Sequence, residues 1–114
     1  MSPAALTRLR RLCLALPEAE EIETWETPTF RVRRKIFVMV ATHGEAPAIW
    51  VKAPPGAQEM LLAVDPARFF RPPYLGGRGW VGVVLAGRVD WAEIEALIRR
   101  SFSLVAPKRL RPDG

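Results

Sequence analysis

Basic and aromatic residues are interleaved over residues 25–37, and this pattern indicates a surface that could bind phosphate groups. Phe30 and Val32 alternate with arginines, which is the period-two pattern of a strand with one side in water. The basic residues that follow fall at the predicted turn of a hairpin, where guanidinium groups could pair with phosphate oxygens. The candidate phosphate ligands of this hairpin are Arg31, Arg33, Arg34 and Lys35. A solvated edge whose charges prevent pairing between molecules is the alternative interpretation.

Two further candidate binding regions lie outside this hairpin. Lys52 follows Trp50 by two residues in an otherwise apolar predicted strand, so both would lie on one face of the sheet. If helices leave that face open, the pair forms an amphipathic binding surface; a lysine that extends past the ring to water is the alternative. Arg78 lies in a glycine-rich segment whose backbone N–H groups could bind an anion. A strand rather than a helix follows this segment, so it lacks a nucleotide-binding motif, and a flexible connector is the alternative.

No combination of residues in the sequence indicates catalysis, a bound metal or a cofactor. The single histidine, His43, has no nucleophile near it in sequence, and no group of histidines and cysteines has the spacing of metal ligands. Cys13, the only cysteine, lies on the apolar stripe of a predicted helix and is expected to be a buried core thiol. The sequence therefore predicts a protein that is not an enzyme and holds no cofactor.

The composition favours a single soluble domain with an anionic partner. The 114 residues carry 17 Lys and Arg against 12 Asp and Glu, a net charge of +5, with fourteen arginines and three lysines. Such a basic balance suits polyanions such as DNA. No apolar run approaches the ~18 residues of a membrane span, and the N-terminus lacks an apolar signal segment. We therefore expect a bacterial cytoplasmic protein that does not associate with membranes.

The amide and proline content points to a heat-stable protein. The sequence contains no asparagine, one glutamine and eleven prolines. Few thermolabile amides and many prolines are typical of thermophiles, so we predict a thermophilic source. A GC-rich genome would also enrich proline, arginine, alanine and glycine, which is the alternative explanation.

Apolar periodicity and capping residues divide the chain into helices and strands. Helices are predicted at residues 2–16, 57–64 and 91–105. Strands are predicted at residues 20–26, 29–33, 35–41, 48–53 and 80–85, with a loop at 68–79. Consecutive strands flanked by helices indicate an α+β domain, an antiparallel sheet of about five strands with the N- and C-terminal helices packed on one face. Residues 1–107 would form this single domain, and 108–114 a short basic tail.

A family resemblance rests on segments spread over nearly the whole chain. They are residues 12–17, 25–32, 35–37, 49–52, 73–74, 79–81 and the last helix through Ser101 and Phe102. In their order these segments resemble the MmcQ/YjbR family of small bacterial proteins, whose fold is similar to the frataxin-like (CyaY-like) domain. The resemblance implies a DNA-binding protein with a double wing of basic hairpins. The wings would be residues 31–35 and the loop through Arg78, on a monomer or weak homodimer.

The resemblance also has departures and alternatives. Glu26 and Thr27 stand where the family pattern suggests Gly-His, and Arg33-Arg34 stand where glycine is common at the turn. One alternative is a non-enzymatic module that binds a small ligand or a protein on the open sheet face around Trp50 and Lys52. A third is metal binding, which the resemblance to frataxin implies for an acidic ridge that would include Glu21 and Glu23. The positive net charge and possible ion pairs of these carboxylates argue against the third.

Overall fold

The computed structural model describes residues 1–111, which fold into a sheet and three α-helices. In chain order the elements are α1 (Pro3–Leu14), β1 (Glu20–Thr24), β2 (Thr27–Val32), β3 (Lys35–His43), β4 (Ala46–Val51), α2 (Ala57–Val64), β5 (Phe69–Phe70), β6 (Val81–Val84) and α3 (Trp91–Val105). Two short 3₁₀ turns lie at Leu75–Arg78 and Lys108–Leu110. The last residues of the predicted basic tail, 112–114, lie outside the described residues.

The six strands of the described chain form one antiparallel sheet in the order β1-β2-β3-β4-β6-β5. One face of the sheet carries a row of aligned residues from four neighbouring strands, and all of them are fully buried. This row is Phe30, Val38, Val51 and Val81. The apolar stripe of α3 packs on the same core, where the ring of Phe102 meets Phe37 edge-on at a centroid distance of 5.2 Å. The predicted α+β class with helices on one face is thus confirmed.

The strand count is the main difference from the sequence prediction, since the sheet has six strands rather than about five. The additional strand is β5, which lies inside the segment predicted as a loop. It is only two residues long, and prolines at positions 66 and 72 close to either side hide the strand signal. Phe70 places its ring directly over Gly82 of β6, where a Cβ atom would lie 2.2 Å from the ring. Glycine at this position therefore lets β5 pair at the sheet edge.

Several strand boundaries also differ from those predicted. The first strand ends at Thr24, and Trp25 and Glu26 form a turn with φ of +51° and +63°. The prediction missed this turn because neither residue is a glycine or an asparagine, the usual occupants of left-handed positions. The strand β3 continues to His43, and β4 begins at Ala46. Because β4 ends at Val51 rather than residue 53, Lys52 follows the strand instead of lying within it.

Side-chain caps define the starts of the two long helices. The Oγ of Ser2 accepts a hydrogen bond from the Ala5 N–H at 3.1 Å. The carboxylate of Asp90 accepts from the N–H groups of Ala92 and Glu93. These N-caps confirm the predicted starts of α1 and α3. Within the described residues, no helix combines the length and apolar character needed to cross a membrane.

Candidate nucleic-acid interface

The tip of the β2–β3 hairpin presents its basic residues unequally. Arg33 and Arg34 form the two-residue turn, with φ of +50° and +67°. Arg33 donates two hydrogen bonds to Glu18, from Nε to Oε1 at 2.7 Å and from Nη2 to Oε2 at 3.1 Å. These bonds hold the pKa of the Glu18 carboxyl below its usual value. Arg34 and Lys35 are exposed and form no ion pair with any of residues 1–111, so they carry the uncompensated charge of the tip.

Arg31 lies along the sheet beside the hairpin tip, where its Nη1 donates to the carbonyl of Arg34 at 3.4 Å. Its Nη2 donates to the hydroxyl of Thr24 at 2.9 Å, and its Nε donates to the hydroxyl of Thr29 at 3.2 Å. The buried Thr29 hydroxyl in turn donates to the carbonyl of Ile22 at 2.6 Å. Because the hydroxyl groups that hold Arg31 are neutral, they do not cancel its positive charge, which can attract an anion on the open face of the sheet.

Lys52 and Arg78 border one cavity, although they are far apart in sequence. This cavity has a volume of about 500 Å³, and glycines 77 and 79 also contribute to its wall. The backbone N–H of Lys52 donates to Ser101 Oγ at 2.8 Å, and the same hydroxyl donates to the Phe37 carbonyl at 2.6 Å. Ser101 therefore fixes the end of β4, and with it the position of Lys52, to the buried side of α3.

The segment around Arg78 is held by a buried glutamine that the sequence analysis did not single out. The Nε2 of Gln58 donates to the carbonyl of Gly76 at 2.9 Å and to that of Trp80 at 2.5 Å. Gln58 is the only glutamine in the chain and the one buried residue of α2. These bonds anchor the 3₁₀ turn that carries Arg78 to the start of α2.

Five of the predicted phosphate ligands lie at the same end of the sheet. Val38, Val51 and Val81 are aligned across β3, β4 and β6. Because neighbouring strands are antiparallel, the start of β3, the end of β4 and the start of β6 lie at the same end of the sheet. The five candidates come before Val38, after Val51 or before Val81 in the sequence, so all of them lie at this end. We define the basic end as Arg33, Arg34, Lys35, Lys52 and Arg78. A second cavity of about 290 Å³ is bordered by two of these residues and by Arg111, which adds charge there.

The remaining predicted residue, Trp50, lies on the open face in an apolar cavity of about 460 Å³. Its neighbour across the register is Met39, and these two side chains line the cavity. The prediction that Trp50 and Lys52 share one surface holds only in part, since Lys52 borders the separate cavity that contains Arg78. We define the aromatic groove as Trp25, Ile36, Met39, Trp50, Tyr74 and Leu75. Three of these, Trp25, Tyr74 and Leu75, come from segments outside the strands.

The residues considered for other chemistry are engaged in structural contacts. Glu21 accepts two hydrogen bonds from Arg10, at 2.8 and 2.9 Å. The ring of His43 stacks on Phe70 with centroids 4.0 Å apart. Cys13 is buried, and burial raises the pKa of its thiol, as expected for a core residue. Among residues 1–111, no three His, Cys, Asp or Glu side chains gather in a way that could hold a metal ion.

The fold and these surfaces define a small α+β protein with one sheet face covered by helices and the other open. The family model of YjbR matches residues 14–104, so the chain belongs to the YjbR family. The predicted family is thus confirmed, while the likeness to frataxin stays a prediction. None of the curated proteins compared with the chain matches it.

The solved structures that are similar to the chain include the following two. One is protein DR2400 of Deinococcus radiodurans, described with a domain of the DUF419 family model. It is 25% identical, with a TM-score of 0.79, and the match covers 95% of this chain and 86% of that one. The other is a structural-genomics protein from Pseudomonas syringae, 17% identical, with a TM-score of 0.66 over 91% of this chain and 98% of that one. Both similarities concern the fold.

Proposed function

We propose that this protein binds DNA through its phosphate backbone, without catalysis, and that the basic end makes the contacts. The observation that carries the proposal concerns four cations, Arg34, Lys35, Lys52 and Arg78. They converge at one end of the sheet and form no ion pair with any of residues 1–111. Charges that are not neutralised within a protein attract polyanions, and their contact with phosphates releases counterions.

The individual cations have different parts in this proposal. Arg34 and Lys35 would contact phosphates from the hairpin, and Lys52 and Arg78 from the neighbouring cavity. Glycines 77 and 79 carry no side chain that would hinder a phosphate at Arg78, but the N–H of Gly79 already donates to the Gly76 carbonyl at 3.2 Å, so the side chain of Arg78 would make the contact. Arg33 would contribute less than its position suggests, because Glu18 already occupies its guanidinium edge.

The test is fluorescence-anisotropy binding to a labelled DNA duplex of mixed sequence over a series of salt concentrations. With about four to five phosphate contacts, log K should fall against log salt with a slope of roughly −4. The variant Arg34→Gln/Lys35→Gln removes two of these charges, and its slope should be shallower by about 2. Its affinity should fall similarly for all duplex sequences, since backbone contacts do not read bases.

A control with the same loss of net charge separates a local contact from a general electrostatic field. Arg8 in α1 and Arg88 between β6 and α3 are both exposed. Arg8 borders a cavity with Leu85 and Gly87, which follow β6 at the end of that strand opposite to Arg78, so both arginines lie away from the basic end. The variant Arg8→Gln/Arg88→Gln should therefore keep the slope of the unaltered protein. If both double variants changed the slope equally, the basic end would not be the contact surface. Absence of binding at about 50 mM salt, where such contacts are strong, would refute the proposal as a whole.

A further inference from the structure

The walls of the aromatic groove are two aromatic rings that remain in water. Trp25 is 80% exposed and Tyr74 is 94% exposed, the highest values among the large apolar or aromatic side chains of residues 1–111. The two residues belong to separate segments, the β1–β2 turn and the stretch before the 3₁₀ turn, yet both border the same cavity. Exposed aromatic rings on opposite sides of a cleft are suited to stacking on a flat molecule between or beside them.

Both rings belong to residues whose backbone has a positive φ, a conformation that residues other than glycine rarely adopt. Tyr74 has φ of +64° and ψ of −58°, the conformation of a γ-turn. This turn is closed by a hydrogen bond of 2.7 Å from the Leu75 N–H to the Pro73 carbonyl. Trp25 has φ of +51° in its hairpin turn. Backbone strain of this kind persists where the surrounding structure enforces it, and it is concentrated at ligand contacts.

The floor and the rim of the groove differ sharply in polarity. The floor consists of Ile36, Met39 and Trp50, and no charged side chain of residues 1–111 lines the cavity. Three cations lie next to it along the chain or across the register. Arg31 is the cross-strand partner of Ile36, Lys52 follows Trp50 by two residues, and Arg78 ends the 3₁₀ turn that begins at Leu75. The groove is thus an apolar, aromatic cleft with cations beside Ile36, Trp50 and Leu75, and with one carboxylate, Glu26, beside Trp25.

We infer that the aromatic groove receives unpaired bases, and that the nucleic acid contacted by the basic end is single-stranded DNA. This inference rests on the proposed function, because the phosphates of the same strand would lie on the cations beside the groove. Single-stranded nucleic acids are bound in this way, with bases on aromatic rings and the backbone along a positive groove. In a duplex the bases are stacked inside the helix, so a duplex would contact the basic end and leave the groove empty.

The experiment compares four labelled oligonucleotides of equal length by anisotropy at one salt concentration. They are a DNA strand, the same strand in a duplex, an abasic strand with the same phosphates, and an RNA strand of the same sequence. We expect the DNA strand to bind about tenfold or more tightly than the duplex or the abasic strand. The abasic strand isolates the contribution of the bases, because its charge is unchanged.

Variants of the two wall residues link any such preference to the groove. Trp25→Ala/Tyr74→Ala should weaken binding of the DNA strand by about 10- to 100-fold and leave the abasic strand unaffected. Trp25→Phe/Tyr74→Phe keeps both rings and should keep most of the affinity. Met60→Ala/Val64→Ala is a matched control, since these side chains of α2 are 67% and 76% exposed but do not border the groove. All four wall and control positions are exposed, so we expect each variant to fold, which a melting curve verifies.

The possible failures of the two proposals are distinguishable. If the abasic strand bound as tightly as the DNA strand, or if the alanine variant lost nothing, the groove would receive no bases, while the basic end would still bind phosphates. If no oligonucleotide bound, both proposals would be wrong. If the RNA strand bound more tightly than the DNA strand, the groove would still receive bases, but the assignment to DNA would be overturned.

Discussion

The two faces of the sheet use the same strands for different purposes. On the covered face, Phe30, Val38 and Val51 are aligned and fully buried beneath the helices. On the open face, the register pairs Met39 with Trp50, which are partly buried and line the aromatic groove. Because side chains alternate along a strand, one short apolar run in β3 and β4 supplies both faces. We expect the covered face to determine stability and the open face, with the basic end, to determine binding.

The largest expected effect on stability comes from the covered face. Phe102→Ala removes a fully buried ring that contacts Phe37, and we expect it to lower the free energy of unfolding by about 3–5 kcal/mol. Tyr74→Ala removes a ring of similar size that is 94% exposed. It should change the free energy of unfolding by less than about 0.5 kcal/mol. Urea unfolding followed by circular dichroism measures both values. Comparable losses in the two variants would contradict the division of roles between the faces.

The next largest effect concerns the hydroxyl that joins α3 to the ends of β3 and β4. Ser101→Ala leaves the Lys52 N–H and the Phe37 carbonyl without their partner and should cost about 1–3 kcal/mol. Ser103, two residues along the same helix, has a buried hydroxyl with no hydrogen-bond partner among the described residues. Ser103→Ala should therefore be neutral or slightly stabilising. If the two substitutions had equal effects in the same unfolding experiment, Ser101 would not have the positioning role assigned to it.

The sequence predicted the parts of the fold that depend on local pattern. The apolar run of β3 and the helical stripe and Asp90 cap of α3 were recognised, because burial and capping follow fixed spacings. The two-residue strand β5 was missed, since so short a segment has no period to detect. Trp25 was placed in a strand because its turn contains no glycine or asparagine. Local pattern therefore located the core but not the turns that carry the groove.

The site was predictable as a set of residue types but not as an arrangement. The basic residues were identified from their clustering, whereas the pairing of Arg33 with Glu18 joins positions 15 residues apart and depends on the folded chain. The groove also depends on the folded chain, since Trp25 and Tyr74 lie almost 50 residues apart in the sequence and border the same cavity only in the folded sheet. Ser101 was visible only as one polar residue in an apolar helical stripe. The thermophilic source stays a prediction.

The smallest expected effect separates stability from binding at one residue of the hairpin tip. Arg34 has φ of +67°, a conformation that costs a residue with a Cβ about 1 kcal/mol and costs glycine almost nothing. Glycine loses more entropy on folding, so we expect Arg34→Gly to raise the free energy of unfolding by only about 0.5 kcal/mol. Arg34→Gly should also make the salt slope of duplex binding shallower by about 1.

Arg34→Ala is the matched control for this substitution, because it removes the same charge but keeps the left-handed strain. It should weaken DNA binding as much as Arg34→Gly does, without the gain in stability. Thermal melting and the salt series, measured on both variants, separate the two effects. Equal melting temperatures would show that the turn is unstrained, and unchanged affinity in both would remove Arg34 from the interface. If Arg34→Gly gained stability and bound DNA more weakly, the arginine at this turn would contribute its charge to binding while its strained backbone lowers the stability of the fold.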